Sequence, residues 1–138
     1  KLKEKKYKLF LHTNQSGIAR KMFNYSDTVK CNDKMISLLG MGDLFDQICI
    51  SDDLNYSYDN YRKPSPKFGL EIINKYNIES SLLTYVGDSM SDLDTAKNIN
   101  CNFIGLNTGL VKFKEKTYKT ENFSYKIFDE ISDILKIL

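Results

Sequence analysis

A strand that runs into two aspartates constrains the fold of this chain most. The apolar run at residues 82–86 has the length and bulk of a buried strand, and Gly87 permits a sharp turn directly after it. Asp88 falls at the strand end, and Asp92 falls on the first turn of a helix predicted over residues 91–98. Because open α/β sheets bind ligands at the carboxyl ends of their strands, the stretch predicts a site at this point.

The two aspartates favour a Mg²⁺ site at that strand end. Mg²⁺ takes a few hard oxygen ligands and keeps several waters, so one or two carboxylates suffice. A second interpretation needs no metal, because Asp88 could cap the helix while Asp92 stabilises the helix dipole. These residues alone leave both interpretations open.

Strands and helices alternate along the rest of the chain. Strands are predicted at residues 7–13, 45–51, 102–106 and 124–128, and helices at residues 26–39, 65–76 and 129–138. The apolar residues of the first strand are consecutive, which is typical of a strand covered on both faces. The pattern predicts an α/β fold with a doubly wound, mostly parallel sheet and helices on both faces, in a single domain over residues 1–138.

Composition excludes several classes of protein. A net charge of +2 over 138 residues argues against nucleic acid or a membrane surface as a partner. No apolar run approaches the roughly twenty residues of a membrane span. The three cysteines, Cys31, Cys49 and Cys101, form no CxxC pair, so we expect reduced, buried thiols in a cytoplasmic protein.

Two further polar clusters accompany predicted element ends. Residues 13–16 follow the first strand and offer hydroxyls, amides and backbone N–H groups to an anion, although a turn could use the same groups for its own bonds. Arg62 and Lys63 precede Pro64 and Pro66, which fix the backbone around the basic pair. A surface position is the alternative for Arg62. A hydroxyl with backbone donors, a fixed lysine and a carboxylate pair together predict a phosphoryl-transfer site.

With these motifs the sequence resembles the haloacid dehalogenase (HAD) superfamily of phosphatases. Thr13 matches the second motif of that superfamily, Lys63 the third, and Gly87-Asp88 with Asp92 the fourth. Their order and spacing agree over nearly the whole chain.

Finer features place the resemblance within the superfamily. The stretch at residues 13–20, followed by Phe23, and the signature Arg62-Lys63-Pro64-x-Pro66 are most similar to the D-glycero-D-manno-heptose 1,7-bisphosphate phosphatase group. Histidinol-phosphate phosphatases share the arginine-lysine-proline signature, and polynucleotide 3′-phosphatases share both features in part.

The resemblance implies a role for each matched residue. Thr13 would hydrogen-bond the transferring phosphoryl oxygens, and Lys63 would neutralise charge on the phosphoryl group and the nucleophile. Asp88 would hold Mg²⁺ directly or through water, with Asp92 as a second ligand or as the residue that orients the site. The implied substrate-binding residues are Asn14, Gln15, Ser16 and Arg62, the last holding a second phosphate or a sugar oxygen.

The resemblance also implies the substrate and the manner of its selection. The substrate would be a small sugar phosphate, with a nucleic-acid 3′-phosphate or a non-catalytic role in binding a phosphorylated ligand or partner chain as alternatives. The short span between the second and third motifs leaves no room for a large cap domain, so the tyrosine-rich loop at residues 52–61 would select the substrate.

Two departures from the family pattern qualify this expectation. Many members of the heptose group carry a zinc-binding cysteine and histidine loop before the arginine-lysine pair. Here Cys49 is the one cysteine close upstream of that pair, and one cysteine cannot make a tetrahedral zinc site, so we expect no structural zinc.

The second departure concerns the nucleophile. The first family motif, Asp-x-Asp, supplies the nucleophilic aspartate, but none of the twelve residues before Thr13 is an aspartate. The strand that carries this motif would lie centrally, between the strands at residues 7–13 and 82–86. We therefore expect the domain to be N-terminally incomplete, with this strand on a further segment or another chain. Direct pairing of the two strands would contradict that hypothesis.

Overall fold

The computed structural model describes residues 1–110, 112–113, 117–119 and 123–138. The strands are β1 (Phe10–Asn14), β2 (Gln47–Ser51), β3 (Thr84–Gly87), β4 (Asn102–Leu106), β5 (Thr117–Lys119) and β6 (Ser124–Phe128). The α-helices are α1 (Tyr25–Leu38), α2 (Lys67–Tyr76) and α3 (Met90–Ile99), and short 3₁₀ helices span Ser80–Leu82 and Ile131–Lys136. The chain divides into two compact units, Lys1–Arg62 and Lys63–Leu138.

The first unit contains a parallel strand pair joined through a helix. β1 and β2 run in register from Phe10 opposite Gln47 to Asn14 opposite Ser51. The backbone N–H of Gln15 then donates to the carbonyl of Ser51 at 2.6 Å, which extends the ladder past the end of β1. The polar segment that begins at Thr13 is therefore held at the carboxyl end of this pair.

Helix α1 begins slightly earlier than the sequence predicts. Asn24 takes the cap position, and its backbone N–H donates to the Asp27 carboxylate at 2.9 Å. Within α1, Thr28 is the buried residue and Val29 is exposed. Cys31 lies on this helix and is also exposed, so the prediction that all three cysteines are buried is wrong for Cys31.

The second unit contains a four-stranded sheet in the order β3-β4-β6-β5. The first three strands are parallel, and β5 is antiparallel to β6. Helix α3 contributes Leu93, Ala96 and Ile99 to a core shared with Cys101 and Phe103. Burial raises the pKa of the Cys101 thiol to about 12, so this thiol is not a nucleophile near neutral pH.

Most predicted elements are present, with differences at their ends. β4 and β6 have the predicted bounds, whereas β3 begins later because Ser80–Leu82 forms a 3₁₀ turn. The last helix is a 3₁₀ helix over Ile131–Lys136 and does not begin at Asp129 as expected. The expectation of a buried strand before Gly87 is wrong for Val86, which is 39% exposed because β3 lies at the edge of its sheet.

β1 and β3 belong to different sheets. Within the residues that the structure describes, β1 pairs with β2 and β3 pairs with β4, so the direct pairing that would contradict a missing central strand is not found. The missing strand and the single-domain organisation stay predictions. Every helix in the described ranges is too short or too polar to serve as a membrane span.

Candidate active site

The centre of the candidate site is a buried ion pair between Lys63 and Asp92. Lys63 Nζ lies 2.7 Å from Asp92 Oδ1, and the two side chains are only 14% and 5% exposed. A buried charge is tolerated where its partner is close and hydrogen-bonded, and removing one partner strands the other. The pair therefore fixes the lysine ammonium group in one direction.

The second oxygen of Asp92 organises the loop between β3 and α3. Oδ2 accepts the backbone N–H of Asp88 at 3.2 Å, the backbone N–H of Ser89 at 3.1 Å and the Ser89 hydroxyl at 2.6 Å. Ser89 is the N-cap of α3 and forms a reciprocal capping box with Asp92. Direct metal ligation by Asp92 stays a prediction, and these bonds favour its other expected role, that of orienting the site.

Asp88 lies beside this box, and its carboxylate is exposed. The Thr108 hydroxyl approaches Asp88 Oδ2 at 3.5 Å, and a β-carbon on Gly109 would lie 2.4 Å from the Asp88 carbonyl oxygen. An exposed carboxylate suits Mg²⁺, because that ion keeps waters and shares its shell with substrate phosphates. Within the described ranges no cluster of three or more His, Cys, Asp or Glu could hold a metal.

The loop after β4 is a part of the site that the sequence analysis did not assign. Asn107 Oδ1 accepts the backbone N–H of Phe113 at 3.0 Å, and Asn107 Nδ2 donates to Asp129 at 3.0 Å. These bonds hold Thr108 and Gly109 against Asp88. The available signal was the polar turn with a glycine at the end of β4, since neighbouring parallel strands end at one edge of a sheet.

The backbone that carries Lys63 is anchored to α3. Asn98 Nδ2 donates to the Pro64 carbonyl at 2.8 Å, and Ser65 and Pro66 are buried. Helix α2 begins directly afterwards, with Pro66 in the cap position. A lysine on such a segment points in a fixed direction, as its two following prolines predict.

In the first unit, the segment after Thr13 uses some of its polar groups internally. Gln15 Nε2 donates to Thr13 Oγ1 at 3.4 Å, and the Gln15 and Ser16 carbonyls accept N–H groups of the following turn. Within the described ranges, the backbone N–H groups of Ser16 and Gly17 donate to no protein atom. The segment thus forms a turn and still presents two adjacent donors to an anion.

Arg62 is half-buried, and its role in substrate binding stays a prediction. Its Nη1 donates to the Asp53 carbonyl at 3.1 Å, and its backbone N–H donates to Asn60. The structure therefore brings Lys63, Asp88 and Asp92 together in the second unit, and places Thr13 and Arg62 within the first.

Comparison with known families decides the affiliation. The sequence model of the haloacid dehalogenase-like hydrolase family matches residues 1–106. The chain belongs to this family. The doubly wound, mostly parallel α/β fold expected of a HAD-like protein is thereby confirmed.

Several curated HAD relatives are similar to this chain. It is 31% identical over 102 residues to the D-glycero-beta-D-manno-heptose-1,7-bisphosphate 7-phosphatase of Bordetella bronchiseptica, covering 73% of this chain and 57% of the relative. It is 34% identical over 88 residues to the protein of that name from Neisseria meningitidis serogroup A, covering 63% and 47%. The histidine biosynthesis bifunctional protein HisB of Bacteroides fragilis is 29% identical over 117 residues, covering 83% and 31%. The chain thus spans about half the length of the heptose phosphatases that it matches.

Solved structures show the same fold. The D,D-heptose 1,7-bisphosphate phosphatase from B. bronchiseptica, complexed with magnesium and phosphate, aligns with a TM-score of 0.72 at 24% identity, covering 98% of this chain and 75% of that chain. A HAD-like phosphatase structure from Mesorhizobium loti aligns with a TM-score of 0.69 at 21% identity, covering 94% and 63%.

Proposed function

We propose that this chain forms part of a Mg²⁺-dependent phosphomonoesterase that acts on a small sugar phosphate of the heptose bisphosphate kind. The observation that carries the proposal is the buried Lys63–Asp92 pair beside the exposed carboxylate of Asp88 at the end of β3. Such a site presents a fixed cation and an oxygen ligand for a second cation to an anionic group. The names of the curated relatives supply the substrate class.

Each site residue has a definite part in this proposal. Lys63 neutralises negative charge on the phosphoryl oxygens, and Asp92 keeps its ammonium group in place. Asp88 holds Mg²⁺, which would supply further charge neutralisation when bound. The Thr13 hydroxyl hydrogen-bonds the phosphoryl group, together with the backbone N–H groups that follow it.

The remaining residues at the end of β1 and the arginine bind the rest of the substrate. Asn14, Gln15 and Ser16 shape the segment that holds the phosphoryl group, and Arg62 binds a second phosphate or a sugar oxygen. A guanidinium group suits this task because its donors match phosphate oxygens in geometry.

The nucleophile of the proposed reaction lies outside these 138 residues. An aspartate carboxylate on a further segment or another chain attacks phosphorus and expels the sugar oxygen, which takes up a proton. Water then attacks the aspartyl-phosphate and releases inorganic phosphate, which restores the carboxylate.

A turnover assay tests the proposal directly. The assay uses the protein in a form whose intact mass shows that it includes the aspartate-bearing segment, or together with the chain that carries it, and supplies D-glycero-D-manno-heptose 1,7-bisphosphate with Mg²⁺ and again with excess EDTA. We expect Mg²⁺-dependent phosphate release that Lys63→Ala lowers by at least about 100-fold. Lys97→Ala is the matched control, because Lys97 pairs with Asp94 at 3.7 Å on the surface of α3. Equal activity of both variants, or turnover that EDTA leaves unchanged, contradicts the proposal.

The HisB relative, which aligns with 83% of this chain, favours histidinol phosphate as a second candidate substrate. Comparing kcat/KM for the two substrates decides between them. We would measure kcat/KM for a 3′-phosphorylated oligonucleotide in the same way. Rapid turnover of that substrate would indicate a phosphatase that acts on the 3′ ends of nucleic acids. Phosphate binding without turnover of any substrate, in a protein that includes the aspartate-bearing segment, indicates a non-catalytic module.

A further inference from the structure

The loop before Lys63 is closed by one amide side chain. Asn60 Oδ1 accepts the backbone N–H of Ser57 at 3.3 Å and that of Arg62 at 3.0 Å. Asn60 Nδ2 donates to the carbonyl of Asn55 at 2.8 Å. The orientation of the amide follows from these partners, because a flipped amide would set N–H against N–H and oxygen against oxygen. Asn60 therefore ties together three points of the backbone.

The same loop is fixed at its end around Arg62. The guanidinium Nη1 donates to the Asp53 carbonyl at 3.1 Å, so the side chain folds back over the start of the loop. The carbonyl of Tyr61 lies 2.7 Å from His12 Nε2 on β1. Since a carbonyl only accepts, the proton of the imidazole is on Nε2. The peptide group between Tyr61 and Arg62 is thus held at its oxygen by His12 and at its N–H by Asn60.

The start of the loop is also anchored. The Ser51 hydroxyl at the end of β2 donates to the Asp53 carboxylate at 3.0 Å, and Ser51 is buried. The loop therefore leaves β2 at a fixed point and returns to Arg62 at a fixed point. Between them Tyr56 and Tyr58 are exposed, as the sequence analysis expects of residues that contact a substrate.

We infer that Asn60 is a positioning residue for substrate recognition, since it sets the loop conformation in which Arg62 is presented to an anionic group of a phosphate ester. The inference rests on the proposed function and adds to it the residue that holds the arginine in place. The hydrogen bonds of the uncharged Asn60 amide hold the loop in this conformation, so the loop keeps its conformation without a bound metal ion.

Asparagine is suited to the position because it accepts and donates at once. An aspartate has nearly the same shape and still accepts the two N–H groups, but it cannot donate to Asn55. It would also face the carbonyl oxygen of Asn55 with a negatively charged oxygen. Asn60→Asp is therefore an isosteric test of the closure. Asn74→Asp makes the same chemical change at an exposed position of α2 and is the matched control.

The test combines hydrogen exchange with binding of inorganic phosphate. Amide exchange at Ser57 and Arg62, measured by NMR, reports the closure of the loop, and calorimetry with inorganic phosphate reports recognition of the anion. We expect Asn60→Asp to speed exchange at both amides and to weaken phosphate binding about tenfold, as for the loss of one hydrogen bond to a positioned group. Asn74→Asp leaves both measurements unchanged, and excess EDTA leaves the wild-type exchange rates unchanged.

Two results overturn the inference alone. One is wild-type phosphate affinity in Asn60→Asp while Arg62→Ala weakens binding, since the amide would then be merely structural. The other is loss of exchange protection in the wild type on adding EDTA, since a metal ion would then hold the loop. Absence of phosphate binding by the wild-type protein overturns the proposed function, and with it this inference.

Discussion

Gly87 and Asp92 touch so closely that a β-carbon on the glycine would lie 2.2 Å from the β-carbon of the aspartate. Real β-carbons do not approach each other to that distance, so the last residue of β3 must be glycine for Asp92 to reach its hydrogen-bond donors. The glycine of the fourth motif thus makes room for the carboxylate that holds Lys63.

Gly87→Ala is therefore expected to displace Asp92. Overpacking of this kind costs about 1–3 kcal/mol of unfolding free energy, and the displaced carboxylate would release Lys63 as well. Urea unfolding and phosphate binding measure the two effects. Gly42→Ala is the control, because apart from its own chain neighbours no heavy atom lies within 4 Å of the added β-carbon there. Similar behaviour of the two variants would contradict the close contact.

Asp92→Asn is expected to lower the unfolding free energy by about 3–5 kcal/mol, because it removes the carboxylate charge that lies 2.7 Å from the buried ammonium group of Lys63. Chemical denaturation at neutral pH provides the measurement. Asp94→Asn tests the specificity, since Asp94 and Lys97 are 49% and 44% exposed and such pairs contribute less than about 1 kcal/mol. If Asp92→Asn lowered the unfolding free energy no more than Asp94→Asn does, the buried Lys63–Asp92 pair would not stabilise the fold as expected.

Asp88→Asn should separate metal binding from stability. Because the Asp88 side chain is exposed, the unfolding free energy of the variant protein should differ from that of the wild type by no more than about 0.5 kcal/mol. The Mg²⁺ concentration that gives half-maximal turnover should rise about tenfold or more, since an oxygen ligand loses its charge. A Mg²⁺ titration of turnover, with Asp94→Asn in parallel, checks this. An unchanged Mg²⁺ requirement would remove Asp88 from the metal shell.

A pH-dependent contribution is expected from Asp46 in the first unit. The hydrogen bond from Lys3 at 2.6 Å, followed by that from the backbone N–H of Leu9, lowers the pKa of Asp46 from 3.8 to about 2. A lowered folded-state pKa stabilises the fold above pH 3.8, and this stability is lost as the pH falls towards 2. Screening by solvent limits the effect to about 1 kcal/mol.

Urea unfolding at pH 6 and at pH 2.5 measures this contribution. Asp46→Asn should lose less stability between the two values than the wild type, by about that 1 kcal/mol. Asp43→Asn, at a neighbouring exposed position, should follow the wild type. Parallel losses in all three proteins would contradict the role of Asp46.

The sequence predicts those parts of the fold that depend on local pattern. The local sequence pattern predicts the bounds of β4 and β6 to the residue, and Pro66 marks the start of α2. β5 has only three residues and depends on antiparallel pairing with β6, so no local sequence pattern predicts it. Cysteine spacing predicts a reduced thiol at Cys31 but does not decide whether it is buried, because burial depends on what packs against its helix.

The candidate site shows the same division. The placement of Asp88 and Asp92 at the end of β3, and of Lys63 between two prolines and the preceding arginine before α2, predicts these candidate residues, because residue type and placement carry the chemistry. The bonds that distribute the two oxygens of Asp92 between Lys63 and the start of α3 depend on distances that no sequence pattern contains. Asn60 was missed for the same reason, since its partners are defined only once the loop has closed.

The carboxylate that orients Lys63 is also the carboxylate that caps α3. The first turn of α3 and the orientation of Lys63 are therefore coupled, because both depend on the position of the Asp92 carboxylate. Whenever thermal motion frays that turn, the ammonium group loses its anchor and the anion site loses its geometry. The affinity of this protein for phosphate would then depend on the fraction of molecules in which this one turn of helix is intact.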